Sequence, residues 1–361
     1  MSIRNVLMVV SLVLSVLIGL VVHTNSTSNT ATASTSTKEK GSGKLLIGFS
    51  MDTLKEARWQ VDRDSFVKRA KELGADVEVQ SANSNDTQQM KDVNTLLTSG
   101  VQVLVIAAHD GKAMAKAVGL ANKAGVPVIA YDRLIYDSNL DMYMSFDNEK
   151  VGELQAQYLV DHLPGGKGSI VCIYGSPADN NAKLFKKGQD KVLAPLIKRG
   201  DIKIVRADWA EDWKPENAKR IADAAITSGK FDAVLASNDG TAGGAIQALT
   251  EAKLSNVLVT GQDSELAACQ RIARGAQSMS IYKPIKTLAA VAAECAVKMA
   301  TGKPIVAKDV TNNGKIDVPS ILENVDIVTK DNIPQTIVKT GFHSYDEVYG
   351  DLPANQRPPK P

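Results

Sequence analysis

Cysteine and histidine are scarce in this sequence of 361 residues. The three cysteines, Cys172, Cys269 and Cys295, lie far apart and form no CxxC pair, so the sequence predicts no disulfide framework. The four histidines are equally scattered, and neither HExxH nor a similar metal-binding pattern occurs. We therefore expect no metal site.

Aromatic residues and excess charge are also lacking. Only 5% of the residues are aromatic, and 42 Lys and Arg nearly balance 40 Asp and Glu, for a net charge of +2. A nucleic-acid-binding protein needs a basic face to meet phosphates, so this balance argues against one. The hydrophobic content of 44% argues against a disordered chain. A core poor in aromatics is typical of α/β proteins with buried parallel strands.

The motifs of nucleotide-dependent enzymes and serine hydrolases are missing. A Gly-rich segment ends at Lys44, but it precedes the first predicted strand, whereas a P-loop follows its strand. No GxGxxG fingerprint follows a strand, and no GxSxG nucleophile elbow is present. We therefore expect no cofactor and no enzymatic activity.

A long uncharged run stands at the amino terminus. It extends over 17 residues from Val6 to Val22 after Arg4, which predicts a membrane anchor or signal segment over 1–22, with the rest of the chain outside the cytoplasm. An uncleaved anchor is favoured because the A-x-A pattern at 31–33 lies about ten residues beyond the run; a cleaved signal is the alternative. The Ser- and Thr-rich stretch 23–43 predicts a flexible tether, and 351–361 a disordered tail.

Short apolar runs alternate with segments of helical period from Lys44 onward. This alternation predicts right-handed βαβ units and parallel sheets. Two doubly wound lobes accommodate the runs better than one, and an eight-stranded TIM barrel is the competing layout. The runs are Leu45–Phe49, Val77–Gln80, Val103–Ala107, Val128–Tyr131, Tyr143–Phe146, Ile170–Tyr174, Ile202–Val205, Ala233–Ala236, Val257–Thr260 and Ser278–Tyr282.

Polar and aromatic side chains follow these strands, at the end of the sheet where open α/β folds bind ligands. They include carboxylates, guanidinium groups, an ammonium group and carboxamides, which can make paired hydrogen bonds, together with indole rings. Planar hydrogen-bonding groups match the hydroxyl-rich edge of a sugar, and an indole matches its apolar face. No nucleophile stands beside a base, so the set predicts a binding site rather than a catalytic one. An N-capping role is the alternative for Asp132, Asp179, Asn238 and Asp263.

The body of the chain from about Lys44 to about His343 resembles the bacterial D-xylose-binding proteins, in the sugar branch of the type I periplasmic binding proteins. The stretches that carry the resemblance are Ala57–Asp64, Val79–Asn83, Ala130–Arg133, Ser145–Ala156, Gly175–Phe185, Ala236–Leu249, Gly261–Asp263, Ile281–Ile285 and Asn312–Gly314.

The resemblance implies an α/β fold of two parallel-sheet lobes joined by three crossovers, which close on a sugar through a hinge. We expect an amino-terminal lobe at 44–147 plus 284–324 and a carboxy-terminal lobe at 148–283 plus 325–350. Trp213 is expected to pack under a loop, away from the ligand. The expected sugar-binding residues are Arg58, Trp59, Asp132, Arg133, Asp179, Asn181, Trp209, Asn238, Asp263 and Lys283.

The function implied is an extracytoplasmic xylose receptor that presents its sugar to a membrane ABC importer. The apolar anchor departs from the family pattern, because no Cys follows the run to carry a lipid. A sensor subunit that reports xylose to a membrane histidine kinase is therefore the alternative. A transcription repressor and a pentose-converting enzyme have little support, since a DNA-binding helix pair and catalytic motifs are absent from the sequence.

Overall fold

A seven-stranded sheet is formed mainly by the amino-terminal part of residues 44–361, which are the residues that the computed structural model describes. The predicted anchor and tether lie outside them. The strand order is β11-β12-β5-β4-β3-β1-β2, with all neighbours parallel except the β11–β12 pair. Its strands are β1 (Leu45–Met51), β2 (Ala75–Ser81), β3 (Val103–Ala107), β4 (Val128–Tyr131), β5 (Met142–Phe146), β11 (Asp309–Asn312) and β12 (Asp317–Glu323).

A second sheet has four parallel strands in the order β7-β6-β8-β9, and β10 pairs with β13 in a separate antiparallel ribbon. Both larger sheets are open, so the arrangement is two doubly wound sheets, as expected, and not a TIM barrel. The strands are β6 (Gly168–Tyr174), β7 (Ile202–Trp209), β8 (Ala233–Ala236), β9 (Leu258–Val259), β10 (Ser280–Tyr282) and β13 (Asp326–Val328).

Helices connect the strands, and each sheet buries apolar side chains on both faces. In β3, Val103 and Val105 belong to one buried cluster and Leu104 and Ile106 to another, as the two-residue period of a strand requires. The helices are α1 (Ala57–Glu72), α2 (Asp86–Thr98), α3 (Ala115–Lys123), α4 (Asn148–His162), α5 (Asn180–Arg199), α6 (Pro215–Ser228), α7 (Asp239–Glu251), α8 (Leu266–Arg274), α9 (Ile285–Ala300) and α10 (Tyr345–Tyr349).

The chain passes three times between the first sheet and the part that contains the second sheet and the ribbon: after β5, between β10 and α9, and between β12 and β13. These passages supply the expected three crossovers, whereas the residue boundaries of the lobes stay a proposal. Within residues 44–361, no helix combines the length and hydropathy needed to cross a bilayer.

The last residues, 351–361, were expected to form a disordered tail, and the structure gives them local contacts. A 3-10 turn covers Ala354–Gln356, Arg357 Nε donates to the carbonyl of Leu352 at 2.8 Å, and Tyr345 Oη donates to the carbonyl of Pro358 at 2.5 Å. The Tyr345 hydrogen bond joins the segment to α10, and the Arg357 hydrogen bond lies within the segment. Sequence composition gave no sign of them, because a Pro-rich end is typical of disorder.

Candidate functional site

A cavity lies where the carboxyl ends of strands from both larger sheets meet. The room that it leaves for a water-sized molecule is about 30 Å³, so the side chains that line it lie close together in this structure. Nine of the ten predicted sugar-binding residues line it; Trp209 does not. We call it the site cavity, and its lining residues are Glu56, Arg58, Trp59, Asp132, Arg133, Asp179, Asn181, Phe185, Trp213, Asn238, Gln262, Asp263 and Lys283.

Asp132 is held at the end of β4 in a conformation that few residues adopt. Its φ is +61°, in the left-handed region that Asp tolerates better than most residues. The surroundings fix this conformation: the Asp132 N–H donates to the Met144 carbonyl at 2.7 Å, and its own carbonyl accepts from Ser145 Oγ at 2.6 Å. Asn181 Nδ2 donates to Asp132 Oδ1 at 2.8 Å. The protein's own hydrogen bonds therefore fix the carboxylate toward the cavity.

Arg58, in the first turn of α1, contacts three buried carboxylates. Its Nη2 donates to Asp132 Oδ2 at 2.8 Å, its Nε to Asp62 Oδ2 at 3.1 Å, and its Nη1 lies 3.5 Å from Asp263 Oδ1. Tyr131 Oη donates to the other oxygen of Asp62. Burial raises the pKa of Asp62 to about 6, although Arg58 lowers it. These contacts fix the plane of the guanidinium and leave its edge at the cavity.

Arg133 is held in the same manner, by two other buried carboxylates and a carbonyl. Its Nη1 donates to Asp52 Oδ2 at 2.7 Å and to the Ala108 carbonyl at 3.0 Å, while its Nε lies 3.0 Å from Asp179 Oδ2. His109 Nδ1 lies 3.0 Å from the other oxygen of Asp52. Asp52 follows β1 in the first sheet and Asp179 precedes α5 beside the second, so Arg133 links the two parts of the molecule.

Lys283 completes the charged set and is only 1% exposed. Its Nζ lies 4.0 Å from Asp263 Oδ1 and 5.1 Å from the ring centroids of Phe146 and Phe185. Burial lowers the pKa of the Lys283 ammonium, and the carboxylates of Asp132 and Asp263 oppose that shift. The ammonium group is thus a buried donor whose ion pair with Asp263 is long.

Two of the predicted residues both cap a helix and line the cavity. Asp179 Oδ1 accepts from the Asn181 N–H at the start of α5, and Asn238 Oδ1 accepts from the Thr241 N–H at the start of α7. The alternative N-capping interpretation is therefore correct for these residues, and it does not remove them from the cavity wall.

Of the two tryptophans at or just after the end of β7, Trp213 lines the cavity and Trp209 does not, whereas the sequence predicts the reverse. Trp209, at the end of β7, packs against Tyr174 with ring centroids 5.1 Å apart and does not reach the cavity. Trp213 reaches it because Asp212 and Trp213 have φ of +53° and +58°, which turns the chain back toward the site. The Trp213 indole donates to Asp179 Oδ2 at 3.1 Å and lies against Gly175, where a Cβ would stand 1.9 Å from the ring.

Glu56, Phe185 and Gln262 also line the cavity and were not predicted to do so. The sequence held a signal for two of them. Gln262 stands beside Asp263 in the strand-end segment after β9, and Phe185 lies one helical turn beyond Asn181 on α5, so it faces the same way. Glu56 carried no such signal, since it precedes a helix start that reads as an ordinary solvated turn.

The assembled site can hold a small neutral ligand with many hydroxyl groups. Guanidinium, ammonium and amide groups donate, carboxylates accept, and Trp59, Phe185 and Trp213 supply aromatic surfaces. Burial alone would raise the pKa of Asp132, but Arg58, Lys283 and Arg133 lower it, so this carboxylate stays an acceptor. In residues 44–361, no group of three or more His, Cys, Asp or Glu is arranged to hold a metal ion.

Comparison with known proteins identifies similar chains. The family model described as a periplasmic binding protein domain matches residues 47–304. The chain is 50% identical over 308 residues to the D-xylose-binding periplasmic protein of Escherichia coli (strain K12), covering 84% of this chain and 93% of that protein. It is 48% identical over 308 residues to the protein of the same name in Haemophilus influenzae, covering 84% of this chain and 92% of that one.

A solved structure with a similar fold is the carbohydrate transporter solute binding protein from Chloroflexus aurantiacus in complex with D-glucose. Its TM-score is 0.80 at 34% sequence identity, and the match covers 86% of this chain and 100% of that one.

Proposed function

This chain belongs to the family of periplasmic binding protein domains, and from that premise we propose that it binds D-xylose outside the cytoplasm. The sugar closes the molecule, and the closed form is presented to an ABC importer in the membrane. The family consists of solute-binding proteins rather than enzymes, in agreement with the catalytic motifs that the sequence lacks. The apolar run at 6–22, outside the described residues, supports a membrane anchor on sequence grounds alone.

The observation that carries the proposal is the joint cavity lined from both sheets. Arg58, Asp132 and Arg133 come from elements of the first sheet, and Asp179 and Asn238 from elements of the second. A sugar held among them contacts both parts only when they are close together, so it binds the closed form more tightly than the open form. This difference in affinity shifts the equilibrium toward the closed form.

D-xylose is favoured over other sugars by the two relatives at 50% and 48% identity, both named as D-xylose-binding periplasmic proteins. The carbohydrate transporter solute binding protein from Chloroflexus aurantiacus, at 34% identity, favours the importer role over the sensor alternative. The donors, acceptors and aromatic rings around the cavity match the chemistry of a monosaccharide, and the two relatives select D-xylose among monosaccharides.

Isothermal titration of the full chain against D-xylose, L-arabinose, D-ribose, D-glucose and D-galactose tests the proposal. We expect D-xylose to bind with one site per chain and the lowest Kd of the panel. Absence of heat with D-xylose, or tighter binding of a hexose, would contradict it. As a control, Asp64→Asn changes a side chain that is 68% exposed on α1 and should leave every Kd unchanged.

The membrane partner needs a separate experiment. Affinity capture from detergent-solubilised membranes, with and without D-xylose, should retain a permease in the importer case. Capture of a histidine kinase in its place would support the sensor alternative.

A further inference from the structure

Glu56 carries one carboxylate oxygen, Oε2, to which the described residues supply no hydrogen-bond donor. It immediately precedes α1, with φ −73° and ψ 137°, and its side chain makes no capping hydrogen bond to the helix. Its Oε2 is inaccessible to solvent, and no donor among residues 44–361 reaches it. The carboxylate forms no ion pair within the described part of the chain either.

This arrangement is costly for folding unless something else satisfies the oxygen. Burial of a charged oxygen without a hydrogen-bond donor is unfavourable in general. The other carboxylates around the cavity avoid that cost, because Asp52 and Asp179 contact Arg133 and Asp132 contacts Arg58. Burial raises the pKa of Glu56, although a hydrogen bond from its own backbone N–H and the charges of Arg133 and Arg58 lower it.

Glu56 lies where a molecule in the site cavity can reach its side chain. Glu56 lines the site cavity and also a wider groove of about 670 Å³, and Trp213 is the other residue shared by the two. Gln262 Oε1 is a second buried acceptor on the cavity wall that no described donor reaches. The groove residues are Lys55, Glu56, Ala57, Ser84, Asp212, Trp213, Lys214, Pro215, Glu216, Gly240 and Glu265.

We infer that Glu56 is a further sugar-binding residue, and that its Oε2 accepts a hydrogen bond from the sugar hydroxyl that faces the groove. This inference rests on the proposed function, because it needs a polyol in the site cavity. A hydroxyl donor satisfies the orphaned oxygen in the bound state, and hydrogen bonds to charged groups are the strong ones. Glu56 thus favours binding at the expense of the stability of the free chain.

The test compares Glu56→Ala and Glu56→Gln with the full wild-type chain. We expect Glu56→Ala to raise the Kd for D-xylose about 10- to 100-fold, and Glu56→Gln, which keeps an acceptor, to raise it less. Without sugar, both variants should be at least as stable to urea as the wild type, because the desolvated charge is gone. An unchanged Kd in both variants, or a loss of stability in Glu56→Gln that accounts for weaker binding, would overturn the inference.

The control is Glu216→Gln, which makes the same change at an exposed position that lines only the groove. It should leave the Kd unchanged. If Glu216→Gln weakens binding as much as Glu56→Gln does, a general effect of charge explains the result without a specific contact, and the inference fails.

Analogues of D-xylose that each lack one hydroxyl identify the contact. For the analogue that lacks the hydroxyl bound by Glu56, Glu56→Ala should cause no further loss of affinity. For every other analogue, the loss from the missing hydroxyl and the loss from Glu56→Ala should add. Additive losses for every hydroxyl would contradict the inference. Failure of the wild type to bind D-xylose at all would instead overturn the proposed function, so the two results are distinguishable.

Discussion

At the scale of single residues, the site depends on charges that hold one another in place. Arg58 contacts Asp62, Asp132 and Asp263, and Arg133 contacts Asp52 and Asp179. A buried charge paired in this way is costly to disturb, because removal of one partner leaves the other unpaired. A substitution at one of these charged residues should therefore lower the affinity for the sugar by more than the number of lost contacts suggests.

Asp132→Asn tests this network while keeping a residue that tolerates φ of +61°. The amide no longer balances Arg58, so we expect sugar affinity to fall by about 2–5 kcal/mol in calorimetric titration. Asp132→Ala should bring a further loss of about 1–2 kcal/mol in the free energy of unfolding, from strain in the left-handed region. Equal affinity of Asp132→Asn and wild type would remove Asp132 from the binding site.

The two tryptophans give opposite expectations. Trp213→Ala removes an aromatic surface of the cavity and should weaken D-xylose binding by roughly 1–3 kcal/mol. Trp209→Ala removes packing against Tyr174 and should mainly lower the free energy of unfolding. Titration and urea denaturation of both variants separate these effects. The assignment is refuted if Trp209→Ala weakens binding more than Trp213→Ala does.

At the scale of elements, α4 and α5 are held together by two glycines. A Cβ on Gly152 would stand 1.9 Å from the Phe185 carbonyl oxygen, and one on Gly188 would stand 2.0 Å from that of Glu149. The two helices therefore approach backbone to backbone. This approach sets the position of Asn181, at the start of α5, relative to Asn148, at the start of α4; the two side chains are hydrogen-bonded at 2.9 Å.

Gly152→Ala should force α4 and α5 apart and lower the free energy of unfolding by at least about 1–3 kcal/mol. Urea denaturation measures the change. The matched control is Gly119→Ala in α3, where no atom lies within 4 Å of the added Cβ. That variant should be more stable than the wild type by about 0.5–1 kcal/mol, because Ala favours a helix over Gly. Similar effects at both glycines would argue against the close approach.

At the scale of the whole molecule, direct contacts already join the parts that carry the two sheets. Arg133 Nε lies 3.0 Å from Asp179, and Asn181 Nδ2 donates to Asp132 at 2.8 Å. Each pair has one member after a first-sheet strand and one at the start of α5. The same side chains line the cavity, so binding and the approach of the two parts use a shared set of hydrogen bonds.

The stability of the whole chain should depend on pH through Asp239, which is fully buried. It accepts hydrogen bonds from Gln277, Ser280 and the Glu265 N–H, so it connects α7, α8 and β10. Burial raises the pKa of Asp239 from 3.8 to about 7, and Asp263 adds to the effect. Between these values the folded chain keeps a proton that the unfolded chain loses, so stability falls as pH rises from about 4 to 7.

Asp239→Asn removes this titration. Relative to the variant, the wild type should lose about 2–4 kcal/mol of unfolding free energy as pH rises from 4 to 7, with no further change above about pH 7. Urea denaturation across that range gives both curves. Parallel curves would show that Asp239 titrates at a similar pH in the folded and unfolded chains.

The sequence by itself determined the features that depend on local pattern. Alternating apolar runs and helical segments predicted parallel sheets and favoured two open ones over a TIM barrel, because side-chain period follows directly from strand and helix geometry. The same pattern showed which residues follow each strand, and parallel strands bring such residues to one edge. Arg58, Asp132, Asp179 and Lys283 could therefore be placed in one site before any distance was known.

Only the tertiary structure decided the features that depend on contacts far apart in the sequence. Trp209 and Trp213 are close in the chain, and only Trp213 lines the cavity. The positive φ at Trp213 and the space beside Gly175 place it there. The unpartnered Oε2 of Glu56 is likewise a property of its surroundings. Whether a buried polar atom has a partner depends on which distant elements pack against it, and no local sequence pattern encodes that.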